Sequence, residues 1–221
     1  MAVNAAVLRF PGSNCDHDAL RALTETVGIK ANYHWYEEPL PKDHYQLIVI
    51  PGGFSFGDYL RAGAIAKLCP AMSSLPEAIE RGAHALGICN GFQILLEGRL
   101  LPGYLQVNSH LRFVSKLVQM RIESEAFPWI RKVNQGSTLT VPVAHRFGNY
   151  QVSKIDLTEV TPVLRYEVNP NGSFQNIAGI YRKLGKGSVL GMMPHPERAS
   201  FPALRLSDGQ MFWKNAAEAL S

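Results

Sequence analysis

Short apolar runs and amphipathic stretches alternate along the first hundred residues. Ala5 to Phe10 is apolar except at Arg9, which suits a short buried strand, and the segment FPGSN at 10 to 14 breaks it. From Asp16 to Val27 the apolar residues Ala19, Leu20, Leu23 and Val27 recur on one helical face, and Gly28 supplies a stop. Ala31 to Tyr36 predicts a second strand. After the proline-rich EEPLPKDH, Gln46 to Ile50 is a run of Leu, Ile and Val of the kind found in parallel strands buried on both faces. Ser74 and Glu77 have capping-box spacing with Pro76 near the first turn, so a helix is predicted over Leu75 to Arg81, ended by Gly82. Ala83 to Ile88 reads as another buried strand, followed by a helix from about Asn90 to Glu97.

The second half changes character. Leu111 to Glu123, Thr138 to His145 and Thr161 to Val168 are rich in β-branched and alternating residues, and NPNG at 169 to 172 is a turn signal. Ile177 to Arg182 and Val189 to Met193 predict later strands, and Asp208 to Leu220 a closing helix with Met211, Phe212, Ala216 and Leu220 inward. The pattern implies one α/β domain over residues 1 to 221: a mostly parallel central sheet flanked by helices, with antiparallel strands added in the second half.

Composition narrows the class. Charged residues make up 18% of the 221, below the ~25% usual for soluble domains, while 46% are hydrophobic, which favours an extensive core over disorder. No stretch approaches the ~18 apolar residues of a membrane span, and the N-terminus lacks the basic region of a signal peptide, so a cytoplasmic location is expected. The formal charge of +4 comes from scattered basic residues, which argues against nucleic acid as a partner. Three cysteines without CxxC spacing make a disulfide framework or a zinc site improbable. There is no GxGxxG after the first strand, no GxxxxGK[ST] and no HExxH, so no cofactor or metal is expected on this chain.

Three loops carry candidate chemistry. In Gly87-Ile88-Cys89-Asn90-Gly91 a buried strand turns at once into a helix, the form of a nucleophile elbow with cysteine in the serine position. The sulfur then sits at a helix N-terminus, where the dipole and free N–H groups favour thiolate. In Met193-Pro194-His195-Pro196-Glu197 two prolines fix the chain around a histidine, and a carboxylate two residues on can orient the ring. One imidazole can take the proton of a thiol and return it to a leaving group. Adjacent glycines in Pro51-Gly52-Gly53 let backbone N–H groups point at a developing oxyanion. All three loops leave the carboxyl ends of predicted parallel strands, where open α/β sheets place their sites. Each has a plainer reading as a buried thiol, a loop histidine or a tight turn; their convergence favours a site.

With these residues in place, the chain resembles the class I glutamine amidotransferases, and within them the glutaminase subunits of phosphoribosylformylglycinamidine synthases. GICNGFQIL at 87 to 95 supports the broad superfamily; FPGSNCD at 10 to 16, PGGFSFGDYLRAGAIA at 51 to 66, NPNGSFQNIAGI at 169 to 180 and MMPHPERA at 192 to 199 narrow it. The resemblance implies Cys89 as nucleophile, His195 as acid and base, and Glu197 as the residue orienting His195. It also implies an oxyanion hole from the N–H groups of Gly53 and Asn90, with Gly52 shaping the turn, and Gln93 and Asn108 at the glutamine pocket. The implied reaction releases glutamate and ammonia from L-glutamine through a thioester. The ammonia would pass to a large synthetase subunit that uses ATP and Mg to convert formylglycinamide ribonucleotide to the amidine, with a small accessory subunit as a third partner. Cys15 and Cys69 are expected to be structural. The alternatives are an amidotransferase serving another biosynthetic synthetase, and a non-catalytic subunit that keeps the fold for assembly.

Overall fold

A computed structural model describes residues 3–221, so the first two residues of the expected domain lie outside it. The buried runs of the first half become β1 (Asn4–Arg9), β2 (Lys30–Trp35), β3 (Leu47–Ile50) and β4 (His84–Ile88), joined by α1 (Asp16–Val27) and α2 (Pro70–Arg81). The order β2-β1-β3-β4 is parallel throughout, and β11 (Gly187–Met192) extends it as a fifth parallel strand beside β4. Strands β3, β4 and β11 are buried at every position, as a sheet covered on both faces requires.

The chain steps one way from β1 to β2 and the other way from β3 to β4. Right-handed crossovers therefore put α1 and α2 on opposite faces, and the strand order reverses between β1 and β3. The loops after these two strands part at that point, where α/β sheets leave a ligand crevice. Here the crevice is pinned by a bridge between Ser13 and Gly53. Helix α3 (Asn90–Glu97) follows β4, and Asn90 to Leu96 are all buried. Helix α4 (Gln210–Leu220) closes the chain against α1.

The second half adds β10 (Ile177–Leu184), β9 (Thr161–Tyr166), β6 (Val114–Ile122) and β7 (Thr138–His145) in that spatial order, each antiparallel to its neighbour. Two short strands, β5 (Tyr104–Gln106) and β8 (Asn149–Gln151), pair separately and had no counterpart in the sequence pattern. The main correction concerns α2, which starts at Pro70 rather than Leu75. Ser74 is inside the helix; its hydroxyl donates back to the carbonyls of Pro70 and Ala71 and accepts from the N–H of Leu40, so it does not cap. Among the described residues no helix is long and apolar enough to cross a membrane.

Candidate active site

The strand β4 ends in a sharp turn at Cys89, whose φ of 51° and ψ of −101° fall outside the ordinary regions for a residue with a side chain. The turn is held because the Cys89 N–H donates to the carbonyl of Met192 at the end of β11, 2.8 Å away. Gly91 is required two residues on, since a Cβ there would collide with the carbonyl oxygen of Ile50. The sulfur lies at the N-terminus of α3 and its thiol donates to the carbonyl of Ala144, 3.7 Å away. Strain of this kind, maintained by packing, is characteristic of functional positions.

His195 follows β11, and its N–H is tied to the carbonyl of Pro142 in β7 at 2.9 Å. Its Nδ1 lies 2.6 Å from Glu197 Oε1, with both side chains essentially inaccessible. A carboxylate can only accept, so Nδ1 carries the proton and Nε2, which has no hydrogen-bond partner among the described residues, is free for reaction. Burial alone would pull this imidazole down. The Glu197 carboxylate, helped by the sulfurs of Cys89 and Cys15, outweighs burial and holds it well above the usual histidine range. Cys89, His195, Gly53, Phe54, Phe113 and Arg198 line one cavity of about 190 Å³.

Gly53 has φ of 147°, and among the described residues neither its N–H nor that of Asn90 finds an acceptor in the protein. A side chain at Gly52 would meet His195 Cε1 at 2.7 Å, so this glycine lets the oxyanion loop and the histidine loop touch. The Asn90 side chain is a junction. Its Oδ1 accepts from the N–H of Ser55 at 3.2 Å, and its Nδ2 donates to Gln93 Oε1 at 2.9 Å and to Asp58 Oδ1 at 3.4 Å. Gln93 Nε2 continues to the carbonyl of Phe147 at 2.9 Å and borders a second cleft of about 270 Å³ with Arg61, Glu97 and Tyr104.

Two sequence expectations change. Asn108, expected at the pocket, is fully buried and its polar atoms are all engaged within the protein. Its Nδ2 donates to the carbonyls of Arg112 (2.8 Å) and His145 (3.0 Å), and its Oδ1 accepts from the N–H of Gly148 and from His145 Nδ1, both at 3.1 Å. Nothing remains for a substrate, and the residue instead joins the loops at 109 to 113 and 145 to 148. Cys15, expected to be merely structural, lines the same cavity as Cys89. It lies close to His195 and Glu197, with Arg198 Nη2 donating to its sulfur at 3.0 Å. Burial raises its thiol above the ordinary cysteine value, against a weaker opposing effect of His195. The signal available in sequence was its place in the loop after β1, at the switch point beside Gly52.

The family model for a CobB/CobQ-like glutamine amidotransferase domain matches residues 2–207. The phosphoribosylformylglycinamidine synthase subunit PurQ of a Synechococcus species is 46% identical over 218 residues, covering 96% of each chain. That of Aquifex aeolicus is 44% identical over 222 residues, covering 94% of this chain and 96% of its own. Among solved structures, a chain in the structure of PurLQS from Thermotoga maritima superposes with a TM-score of 0.91 at 40% identity, covering 100% of both. The glutaminase domain of Trypanosoma brucei CTPS with bound acivicin, at 13% identity and a TM-score of 0.62, shares the fold. With its elbow cysteine, buried histidine and carboxylate in one crevice, this chain belongs to the CobB/CobQ-like glutamine amidotransferase family, among the phosphoribosylformylglycinamidine synthase PurQ subunits.

Proposed function

We propose that the chain hydrolyses L-glutamine to glutamate and ammonia, and that it does so for a synthetase partner that converts formylglycinamide ribonucleotide to its amidine. The observation that carries this reading is the strained Cys89 elbow opening into the same cavity as the buried His195–Glu197 pair. His195 accepts the thiol proton, and the Cys89 thiolate attacks the side-chain carbonyl carbon of glutamine. The oxyanion that forms takes hydrogen bonds from the N–H groups of Gly53 and Asn90; one such donor contributes about 3 to 4 kcal/mol. The imidazolium, stabilised by Glu197, returns its proton to the departing nitrogen as the C–N bond breaks, and ammonia leaves. A γ-glutamyl thioester remains on Cys89. Water, deprotonated by His195, adds to that thioester, and collapse expels the thiolate and frees glutamate. Gly52 keeps the two loops in contact, and Gln93 steadies the Asn90 side chain through its Oε1.

The resemblance to PurQ subunits extends the proposal to assembly with a large synthetase subunit, which holds ATP and Mg, and a small accessory subunit, in the cytoplasm. The test uses the assembled complex. Cys89→Ala and His195→Ala are expected to abolish glutamine-dependent amidine synthesis and to leave ammonia-dependent synthesis intact, because the partner's chemistry is separate. Glutamine-dependent synthesis that survives either substitution contradicts the reading.

A further inference from the structure

Glu197 must be placed accurately for the reaction just described, yet its own side chain is held by little. Its Oε1 meets His195 Nδ1 at 2.6 Å, while its Oε2 is buried without a hydrogen-bond partner among the described residues. The carboxylate is therefore aimed by its backbone, the short 3-10 turn Pro196–Ala199. A single turn of this kind has little stability of its own.

Ser200 locks that turn from behind. Its buried hydroxyl donates to the carbonyl of Pro196 at 2.7 Å and accepts from Trp213 Nε1 at 2.8 Å. An indole nitrogen can only donate, so the serine proton is left to point at Pro196. Trp213 is itself fixed: it is fully buried in α4, edge-on to the ring of Trp129 with centroids 6.3 Å apart. Two further bonds hold the start of α4 to the turn, from Gln210 Nε2 to the Ser200 carbonyl at 2.9 Å and from the Gly209 N–H to the Ala199 carbonyl at 2.8 Å. A Cβ at Gly209 would collide with the carbonyl oxygen of Pro196, so this close approach needs glycine. A chain of buried, paired groups thus runs from the packed side of α4 to the peptide group that joins Pro196 to Glu197.

We propose that Ser200 is a positioning residue for the glutaminase step: pinned by Trp213, it holds the Pro196–Glu197 peptide so that the Glu197 carboxylate stays in line with His195. The inference rests on the glutaminase reading. In the assembled complex, Ser200→Ala should lower kcat for glutamine by roughly ten- to a hundredfold, the range that misplacing a catalytic group costs, with KM little changed. Ammonia-dependent synthesis should hold, because the complex stays intact. With the carboxylate loosened, the imidazolium loses part of its counter-charge. The limb of the kcat/KM profile set by His195 should then move to lower pH by about one unit, the low end of what an opposite charge contributes. Ser200→Thr keeps the hydroxyl and should restore most of kcat. Trp213→Phe keeps an aromatic ring in the core but removes the N–H, and should shift the profile the same way by less. The pH dependence of Cys89 alkylation by iodoacetamide repeats the readout without glutamine. Wild-type kcat and pH profile in Ser200→Ala overturn the inference, as does a loss that falls equally on ammonia-dependent synthesis. Should Ser200→Ala fail to assemble, an unchanged profile in Trp213→Phe overturns it. A wild-type complex that releases no ammonia from glutamine defeats the glutaminase reading instead, and the alkylation profiles still decide the role of Ser200.

Discussion

Three buried histidines respond to this fold in opposite directions. His84, whose Nδ1 meets Ser188 Oγ at 2.8 Å, and His145, held by Asn108, are each lowered to about 4 by burial. His195 is equally buried but faces Glu197 and two sulfurs, and it is raised. For His84 and His145 the unfolded chain binds protons that the native state excludes between about pH 6.5 and 4. Stability should therefore fall as pH drops through that window, by up to about 1.4 kcal/mol per unit for each histidine. His195 acts oppositely: its contribution is complete below the unfolded value near 6.5 and is lost as pH rises through its raised native value. Urea midpoints measured at pH 7, 6 and 5 should decrease steadily; a midpoint unchanged down to pH 5 contradicts the assignment of neutral buried imidazoles. Of the seven histidines, His195 was legible in the sequence through its Pro-His-Pro-Glu setting; the others look alike until burial and neighbours separate them.

At the scale of elements, the site depends on how loops are tied together. The Asn108 side chain makes four hydrogen bonds that tie two loops together, beside the backbone bond from its N–H to the carbonyl of Arg146 at 2.9 Å. Asn108→Ala leaves those buried groups unpaired, and at about 1 kcal/mol per bond it should cost roughly 2 to 4 kcal/mol. Thermal unfolding checks the stability, and the KM for glutamine should rise because Phe147, the acceptor for Gln93, lies in one of the released loops. An Asn108→Ala protein with unchanged melting and unchanged KM contradicts this role. The strands and α1 were legible because apolar periodicity is strong where a sheet is covered on both faces. The start of α2 was not, because Pro70 at its first turn competes with a second, better-looking cap at Ser74 that the structure uses for a different purpose. Strands β5 and β8 are three residues each and carry no period long enough to read.

At the scale of the whole molecule, the crevice between β1 and β3 gathers residues far apart in sequence. Cys89, His195 and Glu197 were legible because each sits in a short local pattern whose chemistry needs that spacing, at the carboxyl end of a parallel strand. Cys15 was expected to be structural, because its place in the cavity is made by loops brought together only when the sheet forms. The presence of a second buried thiol beside His195 gives the central claim a sharp form: the acyl group is carried by Cys89 and not by Cys15. The most direct measurement is mass spectrometry of peptides from the complex, acid-quenched during turnover of glutamine. The account predicts a γ-glutamyl adduct on the peptide containing Cys89, absent from Cys89→Ala and present when Cys15 is replaced by serine. An adduct on Cys15, or steady release of ammonia with Cys89 never acylated, contradicts it.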